Sequence, residues 1–235
     1  MTKEFLEGDG TDIATRLTHV KARIAEAISK SSLSATDPKL VAVSKTVGEG
    51  PIEALLKYGH RDFGENRVQE AARKWPGLKA KYLDVKLHLI GRLQTNKVKE
   101  AVDLFDVIET VDRIKLGEAL ARQRDHTGFC PKLFIQVNSG EEPQKGGIFP
   151  DQADKLIDKC LSELGLPVVG LMCIPPLTEE PSPHFCLMRE IALRHHLSSL
   201  SMGMSADFEV ALAFGATSVR LGTAIFGPRD FKPMD

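Results

Sequence analysis

The sequence predicts a single closed (β/α)8 barrel, a TIM-type α/β fold with one extra helix at its N-terminal end, and three observations carry that expectation. Eight short runs rich in apolar and β-branched residues recur along the chain, at 40–45, 61–65, 86–90, 107–111, 132–137, 167–174, 200–202 and 218–221. Helical patterns fill the intervals between them. No composition break or linker divides the chain, and no GxGxxG follows the first run, which disfavours an open doubly wound sheet. The expected organisation is therefore one domain over 1–235.

Taken in order, Ile13, Leu17, Val20, Ile24 and Ile28 recur at helical spacing while Arg16, Lys21, Arg23 and Glu26 occupy other faces, which predicts an amphipathic leading helix. The first strand, 40–45, ends in Lys45 just before Thr46-Val47-Gly48. Later helices are expected over 96–105 and 152–164, and Gly59, Gly128, Gly165 and Gly215 stand where left-handed helix stops belong. The longest irregular stretches, 138–149 and 175–183, follow the fifth and sixth strands and so fall on the C-terminal face, where barrel active sites lie. The seventh strand runs into Gly203-Met204-Ser205 at the opening of a helix, and the eighth runs into Gly222-Thr223.

Composition narrows the function classes. With 42% hydrophobic residues, 27% charged and a formal net charge of -1, the chain resembles an ordinary soluble globular protein and lacks the basic excess of a phosphate-backbone binder. Residues 1–9 are polar and acidic, without the apolar core of a secretory signal, and no segment is long and apolar enough to span a bilayer, so a cytoplasmic location is expected. Cys130, Cys160, Cys173 and Cys186 are too widely spaced for a CxxC motif and read as reduced, buried thiols. No His, Cys and carboxylate spacing resembles a metal site.

Chemistry concentrates at the predicted barrel mouth. A lysine at a strand end can offer its amine to a carbonyl and form a Schiff base, and Lys45 has that placement. The glycines after strands 7 and 8 let backbone N–H groups approach an anion, Ser205 and Thr223 add hydroxyl donors, and a helix start adds free N–H groups. Ser205, Gly222 and Thr223 together thus read as a phosphate cup, in the place where barrels frequently hold phosphate, although singly Ser205 can be only an N-cap and Gly222 only a turn. Closure sets strand 8 beside strand 1, roughly 4.8 Å away, and makes Lys45 a neighbour of the cup. An aldehyde bearing a phosphate, pyridoxal 5'-phosphate (PLP), suits this pairing better than a sugar phosphate.

Period-2 alternation puts Arg220 on the same inward face as Gly222. An arginine there can approach a pyridine nitrogen, to which it can only donate, weakening the ring as an electron sink; it can also pair with an acidic neighbour inside the barrel. Asn66 and Arg67 follow strand 2 on the same face, with Asn66 counted among the cofactor contacts, although it can equally cap the helix starting at Arg67. His88, on strand 3, reads as a satisfied interior histidine rather than a general base.

Five ordered segments resemble the PLP homeostasis proteins, single-domain fold-type III PLP binders: 41–46 (VAVSKT), 63–70 (FGENRVQE), 88–97 (HLIGRLQTNK), 200–205 (LSMGMS) and 219–227 (VRLGTAIFG). Leu87, just before the third segment, Arg92 within it and Glu109 beyond it depart from the commonest pattern of that family. The resemblance implies that Lys45 carries PLP as an aldimine, that Ser205, Gly222 and Thr223 hold its phosphate, and that Arg220 faces its ring nitrogen. It further implies a role in vitamin B6 homeostasis, with PLP buffered or carried to apo PLP-dependent enzymes; the weakened electron sink and the lack of an evident second base predict no robust catalysis, the lack of a second domain and of an apolar patch pattern favours a monomer, and charge and hydropathy predict neither nucleic acid nor membrane as a partner.

The main alternative is a fold-type III amino-acid racemase, since the lysine and arginine also resemble the barrel domain of alanine racemases. Two-base racemisation needs a second acid/base, a tyrosine in those enzymes, and a further β-domain. Here the only tyrosines, Tyr58 and Tyr82, precede strand starts, and no later sequence is expected to supply that domain. A Schiff-base aldolase is a third reading, separated by the absence of a bound chromophore.

Overall fold

The computed structural model describes residues 10–31, 33 and 37–228; the polar segment 1–9 and residues 229–235 lie outside the described residues. All eight expected strands form, as β1 (Lys39–Val43), β2 (Asp62–Glu65), β3 (Lys86–Leu89), β4 (Val107–Val111), β5 (Lys132–Val137), β6 (Val168–Cys173), β7 (Ser199–Ser201) and β8 (Ser218–Leu221). They pair in parallel and in chain order, and β8 closes onto β1 with Val41 opposite Arg220 and Ala42 opposite Leu221. That closure excludes the open sheet.

The helices are α1 (Gly10–Ser29), α2 (Glu49–Lys57), α3 (Val68–Lys81), α4 (Val98–Leu104), α5 (Ile114–Thr127), α6 (Pro150–Asp158), α7 (Pro181–Arg194), α8 (Phe208–Ala213) and α9 (Thr223–Phe226). In α1, Ile13, Leu17, Val20 and Ile24 are buried, each contributing about 1.5–3 kcal/mol, against α2, α8 and α9. The leading helix therefore covers the outside of the seam where the barrel closes. Arg23 fixes it there, with Nε donating to Glu209 Oε1 at 2.9 Å and the guanidinium lying over the Phe208 ring.

Strand alternation divides the interior from the outer layer. Leu40, Ala42, Phe63, Leu87, Leu89, Ile108, Leu133, Ile135, Leu171, Leu200, Val219 and Leu221 join the helices in one large core. Val107, Phe134 and Met172 form a separate small cluster inside the barrel. That interior also holds buried polar side chains, His88, Glu109, Gln136, Ser201 and Arg220.

The four expected glycine stops all have positive φ, 81° at Gly59, 75° at Gly128, 57° at Gly165 and 89° at Gly215. Several boundaries differ from expectation for local reasons. β1 ends at Val43, so Lys45 lies in the following turn rather than within the strand. The helix after β2 begins at Val68 with Arg67 in the N-cap position and no side-chain cap, so Asn66 is not its cap. Ser205 does not open a helix: 205–207 is a turn, and α8 starts only at Phe208, because the Asp207 carboxylate takes the Met204 N–H at 2.6 Å and closes that turn first.

The 152–164 helix starts earlier, at Pro150, and changes to a π turn at Lys159–Glu163. Of the two irregular stretches, 138–149 carries a bridge from Ile148 to Val137, while 175–183 is cut short by α7, whose Pro181 suits a helix start because its missing N–H is not needed there. The four cysteines are free, but only Cys160 and Cys173 are buried; Cys130 and Cys186 are half-buried. No helix among the described residues is long and apolar enough to cross a membrane.

Candidate functional site

The turn carrying Lys45 is bolted down from α3. Lys74 Nζ donates to Ser44 O at 2.8 Å and Val47 O at 3.2 Å, and ion-pairs with Glu65 at 2.8 Å and Glu70 at 2.9 Å. Glu70 Oε1 also takes the Thr46 N–H at 2.6 Å. That bond matters because Thr46 has φ 63°, a left-handed conformation a β-branched residue adopts only when its surroundings enforce it. The Glu65 carboxylate beneath is fully buried and accepts from Ser44 Oγ at 2.7 Å and Trp75 Nε1 at 3.1 Å. Lys45, half-buried, thus projects from a rigid turn at the C-terminal mouth.

Beside it lie the two segments expected to form the cup. Because β1 and β8 pair with Val41 opposite Arg220, Gly222 and Thr223 emerge alongside Val43 and the Lys45 turn. Gly222 precedes α9, whose first N–H groups have no intrahelical acceptor. The turn after β7 is drawn to β8 by Arg220 N–H donating to Gly203 O at 3.0 Å, which brings Ser205 to the same end. At Gly203 φ is 94°, and an added Cβ would lie 2.6 Å from Ala211 Cβ and 2.9 Å from Phe208 Cα. The close approach requires glycine. Asn66 follows β2, and its backbone is packed by Gly91, where an added Cβ would meet Asn66 O at 2.1 Å.

The structure therefore gathers all six candidates, Lys45, Asn66, Ser205, Arg220, Gly222 and Thr223, on four consecutive strands in the order β7, β8, β1, β2. Five follow the C-terminal strand ends. Arg220 lies one layer deeper, and its surroundings include the acidic partner that sequence left open. Its Nη1 donates to Ser201 Oγ at 2.5 Å and its Nη2 to Cys173 O at 2.7 Å, while Glu109 Oε2 stands 3.9 Å from Nη1.

Glu109 is fully buried and accepts from Ser201 Oγ at 2.6 Å. Its other oxygen is 2.7 Å from His88 Nδ1, and His88 Nε2 is 3.3 Å from Asp62 Oδ1. Burial presses His88 towards neutrality, but the hydrogen bonds and charges of Asp62 and Glu109 outweigh it and raise the imidazole pKa to about 9. Burial likewise opposes ionisation of Glu109, and His88 and Arg220 reverse that, holding its pKa below the usual range. His88 is a satisfied interior histidine, as expected.

Sequence reading gave no role to Lys74 or Glu65 and met Glu109 only as a departure from the family pattern. A signal for Glu109 was present: an inward-facing acid in a strand whose other residues are all β-branched must find cations inside the barrel. Lys74 carried none, because a lysine on a helix ordinarily faces solvent. Tyr58 ends α2 and Tyr82 ends α3, both at the N-terminal face, away from Lys45. The Cys173 thiol is pushed up to about 12 by burial, which makes it a poor nucleophile. Among the described residues no group of three or more His, Cys, Asp or Glu is placed to hold a metal ion.

The amine, hydroxyls, glycine-lined turns and interior guanidinium fit a phosphorylated aromatic aldehyde. Comparison with known proteins agrees in kind. The alanine racemase N-terminal domain model matches residues 16–230. A pyridoxal phosphate homeostasis protein of Aquifex aeolicus is 39% identical over 229 residues, covering 92% of this chain and 98% of the relative. The structure of PipY of Synechococcus elongatus with PLP bound superposes with a TM-score of 0.80 at 35% identity, over 92% of this chain and all of that one. An alanine racemase of Clostridium difficile has a TM-score of 0.70 at 14% identity, over 96% of this chain and 57% of its own, a likeness of fold alone.

Proposed function

The chain belongs to the pyridoxal phosphate homeostasis protein family, and from that premise we propose that it binds PLP through Lys45 and serves as a buffer or carrier of the cofactor rather than as an enzyme. The observation that carries this reading is the Lys45 turn set directly beside the β7–β8 cup by barrel closure. PLP supplies an aldehyde that condenses with a primary amine and a ring that accepts electrons. Lys45 offers the amine; Ser205, Thr223 and the backbone at Gly222 offer donors to the phosphate; Asn66 follows β2 at the same end of the barrel.

Arg220 supports the non-catalytic half of the reading. A guanidinium donates and does not give up its proton, so it leaves a ring nitrogen unprotonated and the ring a weak electron acceptor. No tyrosine stands at the mouth to act as the second base. The family model named for alanine racemase favours racemisation as the second reading. We assign the remaining features on the same footing: one barrel domain over 1–235, a monomer acting in the cytoplasm, and transfer of PLP to apo enzymes.

Absorbance before and after borohydride reduction, with peptide mass mapping, tests the attachment. A visible band lost on reduction, with the pyridoxyl group on Lys45 and absent from Lys45→Ala, is expected; an adduct solely on another lysine overturns the assignment. Incubation with common L-amino acids in deuterated water should give little α-proton exchange while PLP still passes to an added apoenzyme. Rapid exchange that Lys45→Ala abolishes would overturn the carrier reading in favour of catalysis.

A further inference from the structure

Ionisable groups inside a barrel survive only if each charge is met by an opposite charge or a full set of hydrogen bonds. Here Asp62, His88, Glu109 and Arg220 alternate in sign along one connected string. The hydrogen-bond directions follow from the donors available. A serine hydroxyl has one proton, and Glu109 Oε2 at 2.6 Å can only accept it, so Ser201 Oγ must accept from Arg220 Nη1. His88 faces a carboxylate oxygen at each ring nitrogen, so it donates twice and is an imidazolium.

The string crosses the barrel. Arg220 on β8 reaches past Ser201 on β7 to Cys173 O at the end of β6, while Ser201 meets Glu109 from β4, on the far side of the closed sheet. The plane of the Arg220 guanidinium is thereby oriented by acceptors on two other strands. Glu109 stands behind the only hydroxyl in that grip and carries the only carboxylate paired with the guanidinium among the described residues.

We infer that Glu109 is a positioning residue for Arg220: acting through Ser201, it fixes the orientation and offsets the charge with which the guanidinium meets the ring nitrogen of bound PLP. This rests on the proposed PLP site, but its structural half concerns the protein alone. Removing the carboxylate strands two interior cations, His88 and Arg220, near one neutral amide and leaves Asp62 as the sole remaining counter-charge of the string. Arg220 must then turn, or press its charge more strongly on the cofactor. Ser201→Ala cuts the bridge without altering any charge and should displace Arg220 in the same sense.

Nitrogen-15 NMR of arginine side chains in the cofactor-free protein tests the first half. The wild type should show an exchange-protected Arg220 guanidinium signal, assigned by its absence from Arg220→Lys, and Glu109→Gln and Ser201→Ala should lose that protection. Loading with PLP labelled at the ring nitrogen tests the second: both variants should shift the pyridine resonance and the visible band and weaken PLP about tenfold, while borohydride still labels Lys45. Glu109→Asp should restore part of the shift. If both variants fold yet keep the wild-type guanidinium signal, pyridine resonance and affinity, Glu109 is merely a core residue and the inference is overturned. Should Glu109→Gln not fold, Ser201→Ala alone decides by the same two outcomes. If the wild type itself takes no label on Lys45, the PLP reading fails, and the guanidinium signal still decides the role of Glu109.

Discussion

Replacing Lys74 by methionine should expose how the reactive turn is built. Methionine keeps most of the stem volume, so the loss is that of the ammonium. That group joins four partners, Glu65, Glu70, Ser44 O and Val47 O, with only 12% of the side chain exposed. Glu65 is the costly partner left behind. It is fully buried, one of its oxygens has no hydrogen-bond partner, and only Ser44 Oγ and Trp75 Nε1 remain to its other oxygen. Breaking a buried pair from one side costs roughly 3–5 kcal/mol, well above the 0–1 kcal/mol of a surface pair. With a urea dependence of about 2 kcal/mol per molar, the unfolding midpoint should fall by roughly 2 M. Adding Glu65→Gln to Lys74→Met should recover most of it, since no buried charge is then stranded. The turn should also loosen, because Thr46 loses part of what holds its strained φ, and labelling of Lys45 by PLP and borohydride should slow. Urea titrations of the single and double variants decide the matter. A midpoint within about 0.5 M of wild type, equivalent to about 1 kcal/mol, or a double variant weaker than the single, would refute the reasoning.

His88 predicts a pH dependence. Its folded pKa, about 9, exceeds the ordinary 6.5, so its contribution is complete below about 6.5 and is lost as the pH rises through about 9. Thermal melts should fall across that window by the equivalent of roughly 3 kcal/mol, and His88→Gln should flatten the decline. In the cup, Ser205→Ala and Thr223→Ala should each weaken PLP by about 1.5–3 kcal/mol in equilibrium titrations, with pyridoxal lacking the phosphate bound much less well. Equal affinity for the two ligands would contradict the cup. Gly203→Ala should destabilise the fold and disturb PLP binding together, because its Cβ would stand 2.6 Å from Ala211 Cβ at a φ of 94°; a melt unchanged from wild type would show that the turn can shift.

The sequence by itself determined the repeating pattern and therefore the barrel. Eight short strand-like runs separated by helical spacing and glycine stops have one economical closed arrangement, and closure forces the first and last strands together, so the nearness of Lys45 to Gly222 and Thr223 was legible in the sequence. Period-2 alternation also turned Arg220 inward. What it left open were events between residues far apart in the chain. The turn at 205–207 depends on whether Asp207 reaches the Met204 N–H, and the end of β1 depends on Lys74 and Glu70 capturing 44–47 from another helix. Propensity, which is local, does not report either. Glu109 shows the same limit more sharply. Its sequence position announces a buried charge, but which cation answers it was decided only when closure brought β3, β4, β7 and β8 around one interior. There the high cost of an unpaired ion leaves a connected string as the arrangement that satisfies every member.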